Sequence, residues 1–175
     1  MVNGTRDRDL DIGLIGREGV TGLPVIMGTD SWPHRTLMLT AGGGRRIPAV
    51  SLISAMKRSA TLHQTLLKYC HAFLIQSAQT ALSNGVRKIE PRLARKLCMA
   101  HDRTDGDELV LTHQLLALML GARRPVVTLA VDRLAKAGLI KVGRGRIFIL
   151  NRTRLEKRAD HTYGRAEAEF DRLFG

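Results

Sequence analysis

Aromatic residues are scarce in this chain of 175 residues, where Phe, Trp and Tyr together make up 4%. Any core must therefore be aliphatic, built from Leu, Val, Ile, Ala and Met. Hydrophobic residues reach 44%, which is enough for a real core and excludes a disordered chain. The length fits one domain or two small ones.

Cysteine and long apolar runs are also in short supply. The longest apolar runs are about six residues, against the roughly 20 needed to span a bilayer. The polar N-terminus "MVNGTRDRDLDIG" excludes a signal peptide. The only cysteines, Cys70 and Cys98, are far apart in apolar helical patterns, so they are predicted to be small core residues rather than a disulfide. These features predict a soluble, cytoplasmic protein without a membrane partner.

Acidic residues are outnumbered, and the formal net charge is +12. Between residues 121 and 158, eleven Lys and Arg residues face two acids, so this segment alone carries +9. A basic concentration of this kind implies a polyanion, either nucleic acid or an anionic membrane surface. The alternative is a merely solvated basic surface, and a motif must decide between them.

The first 50 residues are rich in glycine and turn signals. The stretch 11–30 alternates short apolar pieces with glycine, and the strand-like "RTLMLTA" follows at 35–41 before a triple-glycine break. This pattern predicts short strands and tight turns. Pro48 then predicts the start of a short helix over 49–56.

A long helix is predicted over residues 60–83, with Ser59 as its N-cap and Asn84-Gly85 at its end. It carries two apolar stripes, so it must bury two faces. A second copy of the same helix could cover the second apolar face, which predicts a homodimer. The alternative is a core helix that one domain covers on both faces. The predicted dimer contacts are in the first stripe: Leu62, Leu66, Tyr69 and Phe73. The second stripe contains Leu67, Cys70, Leu74, Ala78 and Ala81.

Two shorter helices and a hairpin follow a helix that is predicted from Pro91 to His101. The acidic loop "HDRTDGDE" lacks the residue order of a calcium loop and is predicted to be a solvated turn. Thr112 is a plausible N-cap, Gly121 interrupts the helical pattern, and a second helix begins near Arg124. Its inward residues are Val127, Val131 and Leu134, flanked by Val126, Ala130 and Ala137. Gly143-Arg144-Gly145 predicts a hairpin between two strand-like pieces.

This order of elements is that of a winged helix-turn-helix; the alternative is a helical hairpin in some other all-α domain. An arginine pair at the start of the second helix suits phosphate, because the helix dipole and free N–H groups favour anions there. The arginines of the hairpin suit an adjacent phosphate. The predicted DNA contacts are Thr112, Arg123, Arg124, Thr128, Leu129, Asp132, Arg133, Lys136, Arg144 and Arg146.

The stretch "LTHQLLALMLGARRPVVTLAVDRLAKAGLIKVGRGRIFIL" resembles the DNA-binding domain of the Crp–Fnr family of bacterial transcription regulators. The resemblance implies that Arg124 reads a guanine. It also puts the usual target sequence in doubt, because Pro125 stands where the family has an acidic reader and Leu129 where it often has an arginine. Arg123 replaces a capping serine. Double-stranded DNA is the implied partner, with RNA polymerase as a further candidate.

"DIGLIGREGVTGLP…PHRTLMLTAGGGRRIPAVSL" is similar to the end of that family's cyclic-nucleotide-binding-like barrel. Glu18 matches its ribose-binding glutamate, and Arg35-Thr36 its phosphate-binding Arg-Ser pair. About 50 residues precede the helices, too few for a jelly roll of about eight strands. The three residues are therefore predicted to be a vestigial ligand site, with no cyclic nucleotide bound. No cofactor, metal site or enzymatic activity is predicted.

The predicted fold is α+β, with a partial β-barrel remnant, a long dimerisation helix and a C-terminal winged helix-turn-helix domain. The predicted divisions are a shortened β region at 1–58, the long helix at 59–84, the DNA-binding domain at 85–155 and a tail at 156–175. The predicted function is that of a dimeric, sequence-specific DNA-binding transcription regulator. The alternative is a shortened interaction protein that forms heterodimers with full-length family members and alters their activity.

Overall fold

The computed structural model describes residues 2–3 and 9–175, and it is a mixed fold dominated by helices. Residues 1 and 4–8 of the predicted β region therefore lie outside the described residues. No single helix in the described part is long and apolar enough to cross a membrane. The elements, in chain order, are β1 (Val2–Asn3), β2 (Asp9–Leu10), α1 (Leu23–Ile26), α2 (Ala49–Arg58), α3 (Ala60–Val86), α4 (Ile89–His101), β3 (Glu108–Leu109), α5 (His113–Leu120), α6 (Arg124–Lys136), β4 (Ile140–Gly143), β5 (Arg146–Ile149), α7 (Arg152–Arg158) and α8 (Arg165–Phe174).

The N-terminal region differs from the predicted one. Strands β1 and β2 pair antiparallel, but residues 11–48 contain no strand and one short helix, α1. The strands predicted in 11–30 and 35–41, and with them the partial barrel, are therefore wrong for these residues. A strand needs a partner for its ladder of hydrogen bonds, and no described residue pairs with 35–41. Pro24, in the first turn of α1, is the signal for a helix that the prediction missed.

Helix α3 extends beyond the predicted end. Ser59 caps its start, and its hydroxyl accepts a hydrogen bond from the Leu62 N–H at 3.2 Å, as predicted. At the other end the helix continues through Asn84 and Gly85 to Val86, so the predicted C-cap at these two residues is wrong. Gly85 has open space around it, so the helix continues there without a close contact.

The main core lies in the C-terminal half, where α4, α5 and α6 pack together under a three-stranded sheet. The sheet order is β3-β5-β4, and both pairs are antiparallel. The core is aliphatic, as predicted from the shortage of aromatic residues; its fully covered members include Leu93, Leu97, Leu116, Leu134 and Ile147. Strand β3 follows the acidic turn and was missed, because two residues carry no periodic pattern.

Both cysteines are free thiols. Cys98 lies in the main core, where burial raises the pKa of its thiol to about 12. Cys70 is half-buried on α3, and burial also raises the pKa of its thiol. The two residues are thus small apolar groups in the neutral state, in agreement with the prediction.

The predicted C-terminal tail is folded. Helix α7 crosses the predicted boundary at residue 155, and α8 packs along α3. Phe170 of α8 lies against a second apolar cluster that contains Leu23, Ile26, Met56 and Tyr69. The prediction of a tail overlooked a local signal, because Ala166, Phe170, Leu173 and Phe174 recur at the spacing of an amphipathic helix. The partner helix of α8 is about 100 residues away in sequence.

The predicted dimer contacts lie in this same cluster. Tyr69 is buried in it, and Leu62, Leu66 and Phe73 pack against it. These four side chains therefore contact their own chain, and their assignment to a dimer interface is corrected. On the opposite side of α3, Leu67, Leu74 and Leu82 are exposed.

A buried polar network joins the N-terminal segment and α3 to α4. The Lys96 ammonium contacts the Asp11 carboxylate at 2.6 Å (Nζ to Oδ2), and their side chains are 2% and 6% exposed. The Gln76 Oε1 accepts from the Leu14 N–H at 2.6 Å. Arg95, also buried, donates to the Thr162 carbonyl at 2.7 Å and to the Thr80 hydroxyl at 3.0 Å. These contacts position α4, and hence the elements packed on it, relative to α3.

Candidate nucleic-acid interface

Helices α5 and α6 form the helix-turn-helix that the sequence predicts. The angle between them is 109°, within the range of about 90–120° of this motif. Gly121 makes the turn with φ +55°, the left-handed region that glycine adopts without strain. A Cβ there would also lie 2.6 Å from the Leu10 side chain, so both backbone and packing favour glycine.

The first helix of the motif is capped as predicted. The Thr112 hydroxyl accepts from the Leu115 N–H at 3.1 Å, and Thr112 itself is exposed. Leu116, Ala117, Met119 and Leu120 are its buried residues. Thr112 thus has a structural role at the edge of the exposed surface.

Helix α6 begins at Arg124, with Pro125 in its first turn. Its buried residues are Val127, Ala130, Val131 and Leu134, which confirms the predicted inward face. Val126, predicted to flank that face, is exposed instead. The other exposed residues of the helix and its cap are Arg123, Arg124, Pro125, Leu129, Asp132, Arg133 and Lys136.

One predicted contact residue of α6 already has a partner within the chain. The Thr128 hydroxyl lies 3.0 Å from the His113 Nδ1, and both side chains are half-buried. This hydrogen bond links the start of α5 to the middle of α6. Thr128 therefore helps to hold the two helices together, a role that the helical spacing could not reveal.

The wing is the hairpin of β4 and β5, with Gly145 at φ +70° in its turn. Its two arginines differ. Arg146 pairs with Glu108 of β3, whereas Arg144 is exposed and forms no ion pair with any described residue. Arg144 is therefore the arginine that the wing leaves available to an external anion.

Arg123 and Arg124 are likewise exposed and without an ion pair in the described part of the chain. Helix α6 has no side-chain cap at its N-terminus and no acidic residue in its first turn. The positive end of the helix dipole therefore adds to the two guanidinium charges. The surface formed by Arg123, Arg124 and Arg144, together with Arg133 and Lys136 of α6, is named the basic face below.

The three residues of the predicted vestigial ligand site lie in different surroundings. Glu18 pairs with Arg103, with 2.9 Å between the Oε1 and Nε atoms. Arg35 and Thr36 lie in an exposed segment without regular secondary structure. The Glu18 carboxylate is thus already neutralised by a cation of the same chain. No group of three or more potential metal ligands occurs among the described residues.

Residues 91–158 match a family model described as a Crp-like helix-turn-helix domain. Among solved structures, the chain is 27% identical to one described as a transcriptional regulator of the crp/fnr family from Eubacterium rectale, with a TM-score of 0.51. That alignment covers 65% of this chain and 52% of the other. No curated protein sequence matches the chain.

Two further solved structures share the fold. A CRP/FNR-family transcriptional regulator from Thermus thermophilus is 24% identical with a TM-score of 0.54, covering 59% of this chain and 57% of the other. FixK2 from Bradyrhizobium japonicum is 21% identical with a TM-score of 0.59, covering 64% and 59%. The chain thus spans somewhat more than half the length of these structures.

The predicted resemblance is confirmed: the helix-turn-helix domain is Crp-like, and the structural relatives are Crp/Fnr-family transcription regulators. The relatives belong to a class of regulators and not of enzymes, in agreement with the prediction for this chain.

Proposed function

We propose that this chain, a relative of the Crp/Fnr transcription regulators, binds double-stranded DNA as a homodimer and regulates transcription. The observation that carries the proposal is the basic face. It combines an exposed, uncapped start of α6 with the unpaired Arg144 of the wing. In proteins with a helix-turn-helix, the second helix enters the major groove and flanking residues contact the backbone.

The side chains of the basic face are suited to different contacts with DNA. Arg124, on the first turn of α6, suits the O6 and N7 acceptors of a guanine, which an arginine contacts with two hydrogen bonds. Arg144 lies on the wing and suits a phosphate, which carries no sequence information. Thr128, bonded to His113, and Arg146, paired with Glu108, are better placed to support the face than to contact bases.

Replacing Arg144 by alanine tests the DNA-binding proposal. Loss of one phosphate contact should weaken binding to all duplexes about equally and lower the slope of log K against log salt by about 0.9. Fluorescence anisotropy over a salt series measures both quantities. Arg165→Ala removes the same charge from α8 and should leave the slope unchanged. A wild-type chain that binds no duplex even at low salt would contradict the proposal.

The homodimer is supported by the outward side of α3, where Leu67, Leu74, Ala78 and Ala81 are exposed. They recur at spacings of seven, four and three residues, the repeat of a helix-pairing seam, whereas Cys70 packs against the chain's own second apolar cluster. Leu74 is 64% exposed in the single chain, and small residues at 78 and 81 would let two helices approach closely. A pair of chains related by two-fold symmetry would present two α6 helices roughly 34 Å apart. Contact with RNA polymerase stays a prediction.

Glutamate at both Leu67 and Leu74 is expected to convert the dimer into a monomer, because four like charges would meet along the seam. Light scattering gives the mass, and the double variant should have half that of the wild type. Leu150→Glu, also at an exposed apolar residue but away from α3, should keep the dimer mass. An unchanged mass in the double variant would place the interface elsewhere. A wild-type chain that is monomeric alone but pairs with a full-length relative would favour the heterodimer alternative.

A further inference from the structure

A cleft of about 380 Å³ lies between the N-terminal segment, α3 and α8. Leu14, Arg17 and Glu18 form one side, Tyr69, Phe73 and Gln76 of α3 form the floor, and α8 forms the other side. Its volume falls at the lower end of the range of about 300–1,000 Å³ for small-molecule sites. The basic face does not contribute to it.

The interior of the cleft offers aromatic surface and the side-chain amide of Gln76 as a hydrogen-bond donor. Tyr69 and Phe73 approach from α3, and Phe170 approaches from α8. Gln76 is only 8% exposed. Its Oε1 accepts from the Leu14 N–H, whereas its Nε2 has no hydrogen-bond partner among the described residues. This amide nitrogen is not among the fully buried polar atoms of the described residues, so it is open to the cleft and can donate a hydrogen bond to an acceptor oxygen of a ligand.

The charge of the cleft is opposite in sign to that of the whole chain. Four carboxylates and two guanidinium groups line it. Glu18 pairs with Arg103, and Asp102 pairs with Arg152. The two carboxylates of α8 that line the cleft have no ion pair in the described part of the chain. Glu167 accepts from the Gly164 N–H at 2.8 Å, and the Asp171 carboxylate has no hydrogen bond or ion pair with a described residue. Glu167 and Asp171 are four residues apart and therefore lie on one face of α8. Phe170 is next to Asp171 in the sequence.

We propose that this cleft is a binding site for an organic amine with an apolar or aromatic body. The ammonium group lies between Glu167 and Asp171, and the body packs on Tyr69, Phe73 and Phe170. An oxygen of the ligand accepts from the Gln76 Nε2. Carboxylates and aromatic faces both attract an organic cation, whereas the unpaired carboxylates repel an anionic ligand. The proposal does not depend on DNA binding.

Calorimetric titration of the full chain with tyramine, in the absence of DNA, tests the site. Tyramine carries the ammonium, the ring and an oxygen, and 4-ethylphenol is its counterpart without the charge. We expect tyramine to bind with a Kd of about 1 mM or tighter and 4-ethylphenol to bind about tenfold more weakly. Asp171→Asn should weaken tyramine about tenfold and leave 4-ethylphenol unchanged.

Glu169→Gln is the matched control, because Glu169 is on α8 but does not line the cleft; it should bind tyramine as the wild type does. Three results would each overturn the proposal: no tyramine binding at about 10 mM, equal binding of tyramine and 4-ethylphenol, or equal weakening by Glu169→Gln and Asp171→Asn. Circular dichroism of each variant confirms that α8 is still folded. Because the titration contains no DNA, a negative result would contradict the amine site but not the proposed DNA binding.

Discussion

Replacement of Asp11 by alanine is expected to lower the free energy of unfolding by about 3–5 kcal/mol, the effect of leaving a buried charge without its partner. Lys96 is 2% exposed, and the Asp11 carboxylate at 2.6 Å is its only anionic contact among the described residues. Without that carboxylate, the Lys96 ammonium is either buried with no opposite charge beside it or loses a proton and becomes a neutral amine. Urea unfolding followed by circular dichroism measures the loss.

The double variant Asp11→Ala with Lys96→Met separates the charge from the packing. It removes both ions, and an apolar side chain of similar length fills the space, so most of the lost stability should return. Asp105→Ala breaks the exposed pair with Arg17 and should have a much smaller effect than Asp11→Ala. If Asp11→Ala and Asp105→Ala lowered the free energy of unfolding equally, the Asp11–Lys96 pair could not be buried as described.

The effect of Asp11→Ala should also depend on pH. Burial lowers the pKa of Lys96 from its ordinary value of 10.5, and the Asp11 charge opposes that lowering. In the variant the pKa of Lys96 in the folded state is therefore lower still. Between that pKa and 10.5 the unfolded chain binds more protons than the folded chain, so stability rises with pH. The Lys96 pKa of the folded wild type is also below 10.5, so the deficit of the variant should shrink as the pH rises from the folded-state pKa of the variant to that of the wild type and stay constant above it. A deficit that is constant over the whole range would contradict this assignment.

The helix-turn-helix could be predicted from the sequence because its signals are local. Val127, Val131 and Leu134 recur with the period of a helix, Gly121 supplies the left-handed turn, and the glycines around Arg144 supply a hairpin. Each feature is decided by residues within a few positions of it. The structure has these elements at the predicted places, with an error only at Val126, which is exposed.

The two faces of α3 show where local signals fail. Both stripes are apolar in the sequence, and nothing within the helix indicates which of them the chain itself covers. Residues 20–26 and α8, both distant in sequence, cover the side of Leu66 and Phe73 together with the neighbouring α2. The same reason explains the predicted strand at 35–41, which has a short apolar run but no pairing partner among the described residues.

The buried polar contacts were also beyond prediction. Asp11 is in a polar N-terminal stretch, and Lys96 and Arg95 are charged positions on a helix, a pattern that usually indicates solvent. Their burial follows from the packing of the N-terminal segment and Thr162 on α4. Similarly, Thr128 has the spacing of a base contact, but its hydroxyl contacts His113 of the neighbouring helix.

Replacement of Arg124 by alanine is expected to have the largest effect on DNA recognition. Arg124 is the residue of the basic face suited to a bidentate contact with guanine, which contributes about 1–3 kcal/mol of discrimination. Pro125 has no side-chain hydrogen-bond donor, and Leu129, 59% exposed, can contact only a thymine methyl or a sugar. The half-site should therefore contain one strongly preferred G·C pair flanked by weaker preferences, and Arg124→Ala should lose that one preference.

Selection from a random duplex library, with the wild type beside Arg124→Ala and Arg144→Ala, measures the preference at each position. Arg144→Ala should bind more weakly yet select the same base, because a phosphate contact fixes register without reading sequence. If Arg124→Ala keeps the same preferred G·C pair, the guanine is read by another residue. If several adjacent positions are fixed as strongly as that pair, other side chains of α6, such as Asp132 or Thr128, must also contact bases. For Thr128 this would require its hydrogen bond with His113 to open when DNA binds.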